Sequence, residues 1–477
     1  MTAAMRAGER RSTALQSAEA AAAATLPSSG TIFLPLTIGA VAAAISGLPL
    51  FQDGSSYVLE LLLTHSAVRH HRLSVVLLQL PTRAMMRAIG ILHLDAARTL
   101  PLVRLVFAAS YAAVPLVALG LSWLLVRRRR PDLVIWPALA ILFVNLVNFS
   151  WVSELLIGIQ LCCPLLLGTV LLLGTPAQWA LTALLLPIVW LLHPLLALPF
   201  LVIAVAVAYA AAQHVATRPA AQAHRRWSAA RWTVAVYVVA ALLRVVVSLL
   251  SLTKYESGFI GSDEMREYLF TTSWQNAVFL VSALAIAGAC WRAKVLRPAR
   301  RRLAYRGSTV VAIAAAILLV AQYLVGGAAF PLKTGLTLFA ASAILLIAML
   351  DSCTPPAPDE TRERVRLAAV LALVFAAVVV AKSLLWHRAV TRLVATLAAA
   401  RASCVETVAD ELAWVHRAPD TIVDTWALPS LALVVQDERP RKLLLESGDC
   451  APFFASGTIH VDPWTVLTAD DVVPSLE

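Results

Sequence analysis

Charge is what this sequence has least of. Only 14% of its 477 residues are Asp, Glu, Lys or Arg, against 60% hydrophobic, and the mean hydropathy is +0.78. So little charge excludes a soluble domain, and apolar runs of about 20 residues recur along the chain, as in a many-span membrane protein. Other absences narrow the chemistry. There is no glycine-rich phosphate loop, which argues against an ATP-driven pump. Neither a nucleophile elbow nor a Cys-His signature is present, and no strong internal repeat. His65, His70 and His71 lack the i, i+4 spacing of helical zinc ligands, and a lipid-surface helix carrying Arg69 and Arg72 accounts for them. No residue is assigned as a metal ligand. Cysteine is rare too: of six, Cys162, Cys163, Cys290 and Cys353 fall in spans or on the cytoplasmic side. Cys404 and Cys450 lie in a tail expected outside, where a disulfide between them is permitted. Two buried thiols are the alternative.

What is present is a series of about eleven apolar segments: 31–50, 102–126, 132–150, 155–174, 177–192, 195–212, 232–252, 275–291, 308–326, 333–350 and 367–386. Basic residues orient them. Arg6, Arg10 and Arg11, the block Arg127 to Arg130, the group Arg218, Arg225, Arg226 and Arg231, and the run from Arg292 to Arg306 all fall inside if the N-terminus is cytoplasmic. The net charge of +11 is therefore a topology signal, and a nucleic-acid role is not indicated. Residues 73–94 are nearly apolar enough to cross, which would invert every later loop. Pro81, Arg83 and Arg87 in their middle oppose that, and Leu73, Val76, Leu77 and Leu80 form one apolar stripe, so 55–90 reads as helices on the outer membrane surface. With that map, nearly every other ionisable residue near a span end lies on the outer side.

The expected fold is an all-α integral membrane protein of about eleven spans. Residues 1–29, rich in Ala and Ser, read as a disordered cytoplasmic tail. The polytopic domain covers 30–386, with outer-face loop helices within 53–100, and its first span reads as a signal anchor without a cleavage site. Residues 387–477 read as a small α+β extracytoplasmic domain. Thirteen acidic residues there face seven basic ones, a helix is expected over 387–415, and Leu431–Val435 and Leu443–Leu445 look strand-like. The natural compartment is a bacterial inner membrane.

Candidate chemistry starts in the first long loop, Leu50-Phe51-Gln52-Asp53-Gly54-Ser55-Ser56-Tyr57, with Glu60 after it. A helix beginning here puts Asp53, Ser56, Tyr57 and Glu60 on one face. A carboxylate just outside a span can be a general base for a hydroxyl, or hold a divalent cation that bridges a phosphate leaving group. It can also be an N-cap and nothing more. Asn145 and Asn148 share a helix face and look into the bundle, and Glu154 can reach an outer cavity or simply sit in interfacial water. His193, before Pro194, either donates to a phosphate or sugar hydroxyl or marks a helix break. Lys254 and Lys333 are outer cations able to bind a diphosphate, although the charged loop from Lys254 to Glu267 is also an ordinary solvated surface. Arg244 is expected near mid-span, as a functional cation, a partner of a buried acid, or an anchor of the bundle.

The architecture resembles the GT-C class of membrane glycosyltransferases, through Asp53 and Glu60 after the first span, the 55–90 helices, the eleven segments and the 387–477 tail. The chain is also similar to a group of uncharacterised bacterial multi-span proteins with an Asp-Gly after the first span and a Ser-Glu near the fourth, here Ser153-Glu154. The resemblance implies a polyprenyl-phosphate-sugar donor, a lipid or envelope-glycan acceptor, and Asp53 as the catalytic or metal-associated carboxylate. Arg244, Lys254 or Lys333 would then hold the donor phosphate, with Glu154 and His193 orienting sugar or acceptor. Many GT-C members pair two acids in this loop. Here Gln52 and Gly54 flank Asp53, so a metal-free base mechanism stands beside one using a divalent cation. Two other classes fit the composition: a carrier or flippase for a lipid-linked or anionic solute, and a non-catalytic scaffold that presents its acidic tail.

Overall fold

The computed structural model describes residues 29–51, 53–64, 75–92, 96–149, 152–217, 220–251, 274–326, 335–354 and 356–400. In the tail it describes 402, 404–406, 427–437, 442–445, 449–460 and 466–468. The expectations for residues 1–28, for the histidines at 65, 70 and 71, and for Lys254 and Lys333 lie outside the described residues.

Seven helices are long and apolar enough to cross a bilayer: Thr99–Val126, Glu154–Leu171, Pro194–Gln213, Trp227–Leu250, Trp274–Val295, Pro298–Val325 and Asp359–Ala399. Four shorter apolar helices, Gly30–Ser46, Pro131–Val147, Pro176–Trp190 and Leu336–Ser352, lie at the positions of the other expected segments. The molecule is thus an all-α, multi-pass membrane protein. Leu34, Leu242, Leu250, Ile317 and Leu373 are among its outward-facing apolar side chains, as a lipid-contacting surface requires.

The axis of the bundle is the 42-residue helix Pro358–Ala399, about 63 Å long at 1.5 Å per residue. The first helix, Gly30–Ser46, packs along it so closely that a β-carbon on Gly39 would lie 3.3 Å from the Ala376 backbone. At the end of that contact the Trp386 indole donates to the Gly47 carbonyl at 2.9 Å. Because this helix continues to Ala399, the expected boundary at 387 falls inside it. The helix expected over 387–415 is its last part and stops well short of 415.

Three further expectations are corrected. The third segment is not a regular α-helix: it runs as a 3-10 turn (Pro131–Val134), a short α-turn, a π stretch (Ala138–Phe143) and a second 3-10 turn (Val144–Val147). Pro131 and Pro137 remove backbone donors. The Asn145 amide donates back to the carbonyls of Ala140 and Ile141, competing with the helical ladder. Asn145 and Asn148 therefore share no α-helical face. Leu431–Val435 belongs to a helix, Leu428–Val435, every residue of which is buried, and a short apolar run buried on all sides has no periodicity to separate helix from strand. Finally, acids are not confined to the far side. Asp132, Asp351 and Glu360 are buried with Arg364 at the end that carries the basic blocks.

The tail is small. Cys404–Glu406 and Leu443–Leu445 form a parallel pair, Thr458–His460 and Val466–Thr468 an antiparallel one. Cys404 and Cys450 are disulfide-bonded across a sequence separation of 46. Closing a loop of that length restricts the unfolded tail and is worth about 2–4 kcal/mol. Reduction, or Cys450→Ser, should therefore speed protease cleavage beyond Ala399 while the bundle stays intact. Equal cleavage of oxidised and reduced protein would show that the tail does not depend on the bond.

Candidate functional site

Asp53 opens the helix Asp53–Thr64 directly after the 3-10 turn Leu48–Leu50. The glycine that follows it is a steric requirement: a β-carbon at Gly54 would fall 1.8 Å from the Pro49 carbonyl oxygen. That close approach folds the new helix back onto the end of the first span. Ser55, Ser56, Tyr57 and Val58 are buried as a result, while Glu60 is half-buried.

Two links fix where Asp53 sits. Tyr57 Oη donates to Glu154 Oε1, joining the first-loop helix to the start of helix Glu154–Leu171, with Glu154 only 4% exposed. The buried Tyr111 lies within electrostatic range of both Glu154 and Asp53, which puts the two carboxylates in the same part of the molecule. The tail closes over the same region. Ser56 Oγ donates to Ser430 Oγ at 3.2 Å. Arg104 donates to the Val434 and Val435 carbonyls at 3.2 and 2.8 Å and pairs with Asp437. Residue 53 and the described part of the tail around residues 430–437 thus share one end of the bundle, and Arg130, Lys294 and Arg301, paired with Asp132, Asp351 and Asp359, lie at the other.

Beneath Glu154 lies a small polar pocket, lined by Asn145, Asn148, Leu156, Gln160, Phe375 and Lys382. The break in the third segment builds it. Unwinding frees the carbonyls of residues 146–148, and these must find donors in an apolar interior. Tyr323 Oη donates to Leu146 and Val147 at 3.1 and 2.8 Å. Lys382 Nζ donates to Leu146 and Asn148 at 2.7 and 2.6 Å, between the rings of Phe149 and Tyr323. Lys382 is 2% exposed and has no carboxylate partner among the described residues. Its depth follows from the helix it sits on. It lies 18 residues beyond Arg364, about 27 Å at 1.5 Å per residue, which is near the full hydrocarbon thickness of about 30 Å. The pocket is therefore at the tail end of the span, not at its middle.

The remaining expected residues fall elsewhere. His193 is 8% exposed, and its Nδ1 accepts from the Leu195 amide at 3.2 Å, capping the 3-10 turn Pro194–Leu196; the helix-break role is the one this bond serves. Arg244 stands over the Trp190 ring at 5.3 Å, in the last two turns of the span Trp227–Leu250 and not near its middle. Neither residue lines the pocket. Among the described residues no three His, Cys, Asp or Glu side chains gather as a metal-binding group. Sequence reasoning missed Lys382 and Gln160. A signal for Lys382 existed, since it is the lone charge in an apolar stretch running from Leu367 to Trp386, the same rule that singled out Arg244. Gln160 had none.

No family model matches the chain, and no curated protein or solved structure shows a match to it.

Proposed function

We propose that this protein is a lipid-linked-sugar glycosyltransferase acting at the extracytoplasmic face of a bacterial inner membrane, in modification of an envelope glycan or lipid. One observation carries the reading. A carboxylate just outside the first span, Asp53, shares a bundle end with the Tyr57–Glu154 pair, above a buried polar pocket. The orientation rests on the basic blocks, which the positive-inside rule assigns to the cytoplasm. Eleven crossings then leave the N-terminus inside and the tail outside.

In this mechanism Asp53 takes the proton from an acceptor hydroxyl as its oxygen attacks the anomeric carbon. The bond from that carbon to the phosphate oxygen breaks with inversion, and polyprenyl phosphate leaves. The leaving group is already anchored in the membrane, so positioning and charge are most of what the protein supplies. Glu154, held by Tyr57, orients the acceptor, with Glu60 at the rim. Arg244, Lys254 and Lys333 remain candidates for the donor phosphate, and a divalent cation beside Asp53 would serve the same end.

A second reading, a carrier or flippase, is favoured by the broken third segment with its freed carbonyls, since carriers build sites on discontinuous helices. Those sites lie near the midplane, whereas Lys382 is about 27 Å from Arg364. The test is purified protein in liposomes, given polyprenyl-phosphate sugars and candidate acceptors. Release of polyprenyl phosphate is expected. No release with any donor, together with protein-dependent movement of labelled lipid between leaflets, would replace the enzyme by the carrier.

A further inference from the structure

The stretch from Arg292 to Arg306 contains no Asp or Glu, and its cations divide by the face they stand on. Arg301 turns inward. Its Nη1 pairs with Asp359 at 2.6 Å, and its Nε and Nη2 donate to the Ala293 and Leu296 carbonyls, each at 3.1 Å. Lys294 is likewise taken up by Asp351. Arg292, Arg297, Arg300, Arg302 and Arg306 are exposed instead, and no carboxylate among the described residues pairs with any of them.

Orienting the spans requires positive charge at this end of the bundle. It does not require the charge to head an apolar stripe. On the helix Pro298–Gly326, Arg302 and Arg306 are followed by Val310, Ile313 and Ile317, all three exposed. Steps of four, four, three and four residues keep these five side chains on one helix face. The apolar three belong to a helix long and apolar enough to cross a bilayer, so that face meets lipid. Arg306 lies about 6 Å along the axis from Val310. Its guanidinium therefore stands beside the headgroups of the same lipids whose chains cover the stripe. Trp291, exposed at the end of the preceding helix Trp274–Arg292, is the kind of aromatic that settles at headgroup depth.

We propose that this face binds an anionic phospholipid, its phosphate held by Arg302 and Arg306 and its acyl chains lying along Val310, Ile313 and Ile317. Guanidinium suits the headgroup because its planar fork donates to two phosphate oxygens at once. A soluble anion would engage the arginines and leave the stripe uncovered. A zwitterionic lipid would cover the stripe but bring its own cation to the arginines. Only a lipid with a net negative headgroup matches both halves of the face. The surface lies at the opposite end of the bundle from Asp53 and is independent of what is transferred there.

Native mass spectrometry of the full-length protein reads the preference directly. The protein would be released from micelles holding equal amounts of phosphatidylglycerol and phosphatidylcholine with the same chains. The wild type is expected to retain phosphatidylglycerol, and to lose it as salt is raised. The preference should fall by about tenfold in Arg302→Gln/Arg306→Gln, since each arginine near an anionic lipid contributes up to about fivefold. The control, Arg127→Gln/Arg129→Gln, removes equal charge from exposed positions in the turn after Val126 and should leave the preference in place. Every altered side chain is exposed, so thermal unfolding without added lipid should be the same for all three proteins. If the double variant does not insert, Arg306→Gln alone carries the measurement. Equal retention of both lipids by the wild type would overturn the proposal. So would an equal fall in the two double variants, which would leave only dispersed positive charge. Displacement of the lipid by glycerol 3-phosphate would make this a soluble-anion site and overturn the lipid assignment.

Discussion

Replacing Asp53 with asparagine is expected to lower kcat for sugar transfer by about 10²–10⁴-fold, the usual contribution of a positioned general base. Asparagine keeps the size and the hydrogen-bonding oxygen of the native side chain, so the turn onto Gly54 and the helix Asp53–Thr64 should survive. What disappears is the ability to accept a proton. The loss should therefore fall on kcat, with KM for the lipid donor nearly unchanged. Tyr57→Phe is the useful contrast. It removes the hydroxyl that donates to Glu154 without touching Asp53, and a hydrogen bond to a charged group is worth about 1.5–3 kcal/mol. Its effect should appear in acceptor KM. Steady-state rates of polyprenyl phosphate release in liposomes measure both. Turnover by Asp53→Asn at the wild-type rate would remove the base from the mechanism.

The largest expected effect on stability is at the opposite end of the bundle. Arg364, fully buried, pairs with Asp351 and with Glu360 at 2.6 Å, and reaches Asp132 at 3.7 Å. Its Nε donates to Tyr305 Oη at 3.0 Å and its Nη2 to the Cys290 carbonyl at 3.0 Å. Arg130 pairs with Asp132, and Lys294 with Asp351 at 2.8 Å. Three cations meet three carboxylates from separate segments, so the knot is balanced and ties the basic ends of the helices together. Arg364→Met strips the central cation and leaves buried carboxylates facing one another. Breaking one partner of a buried ion network costs about 3–5 kcal/mol. The control is Arg366→Met, two residues along, whose partner Glu363 lies at 3.3 Å and whose side chain is 49% exposed. That change should stay within about 0.5 kcal/mol. Unfolding in detergent compares the two, and equal stability of both variants would show that the knot does not hold the bundle.

Much of the site's address was readable along the chain, while its contents were not. Asp53 attracted notice because an acid after an apolar run is conspicuous, and Glu154 because it follows one. That Tyr57 of the first-loop helix reaches Glu154 depends on how the first and fourth segments pack, which no local pattern encodes. Asn145 and Asn148 stood out as amides in a span, but the assumption of a regular helix misplaced them. Two prolines and a side chain bonding its own backbone had already broken that helix. Lys382 was legible as the lone charge between Leu367 and Trp386, but the carbonyls it bonds were not. The Cys404–Cys450 pair was legible as a possibility because only two cysteines fall in the tail.

The amino-acid sequence by itself determined that the chain lives in a membrane, where its apolar segments lie, and which ends of them carry the basic blocks. These are sums over neighbouring residues, and transfer of a segment into a bilayer depends on composition within about 20 positions. Tertiary structure alone decided which polar groups were left over. Lys382 found the carbonyls of a broken helix more than two hundred residues earlier in the chain, and Arg364 found three acids. Gln160 Oε1 found no partner among the described residues. Burial makes each of those outcomes matter, because away from water a polar group is stabilised only by the partner that packing brings to it.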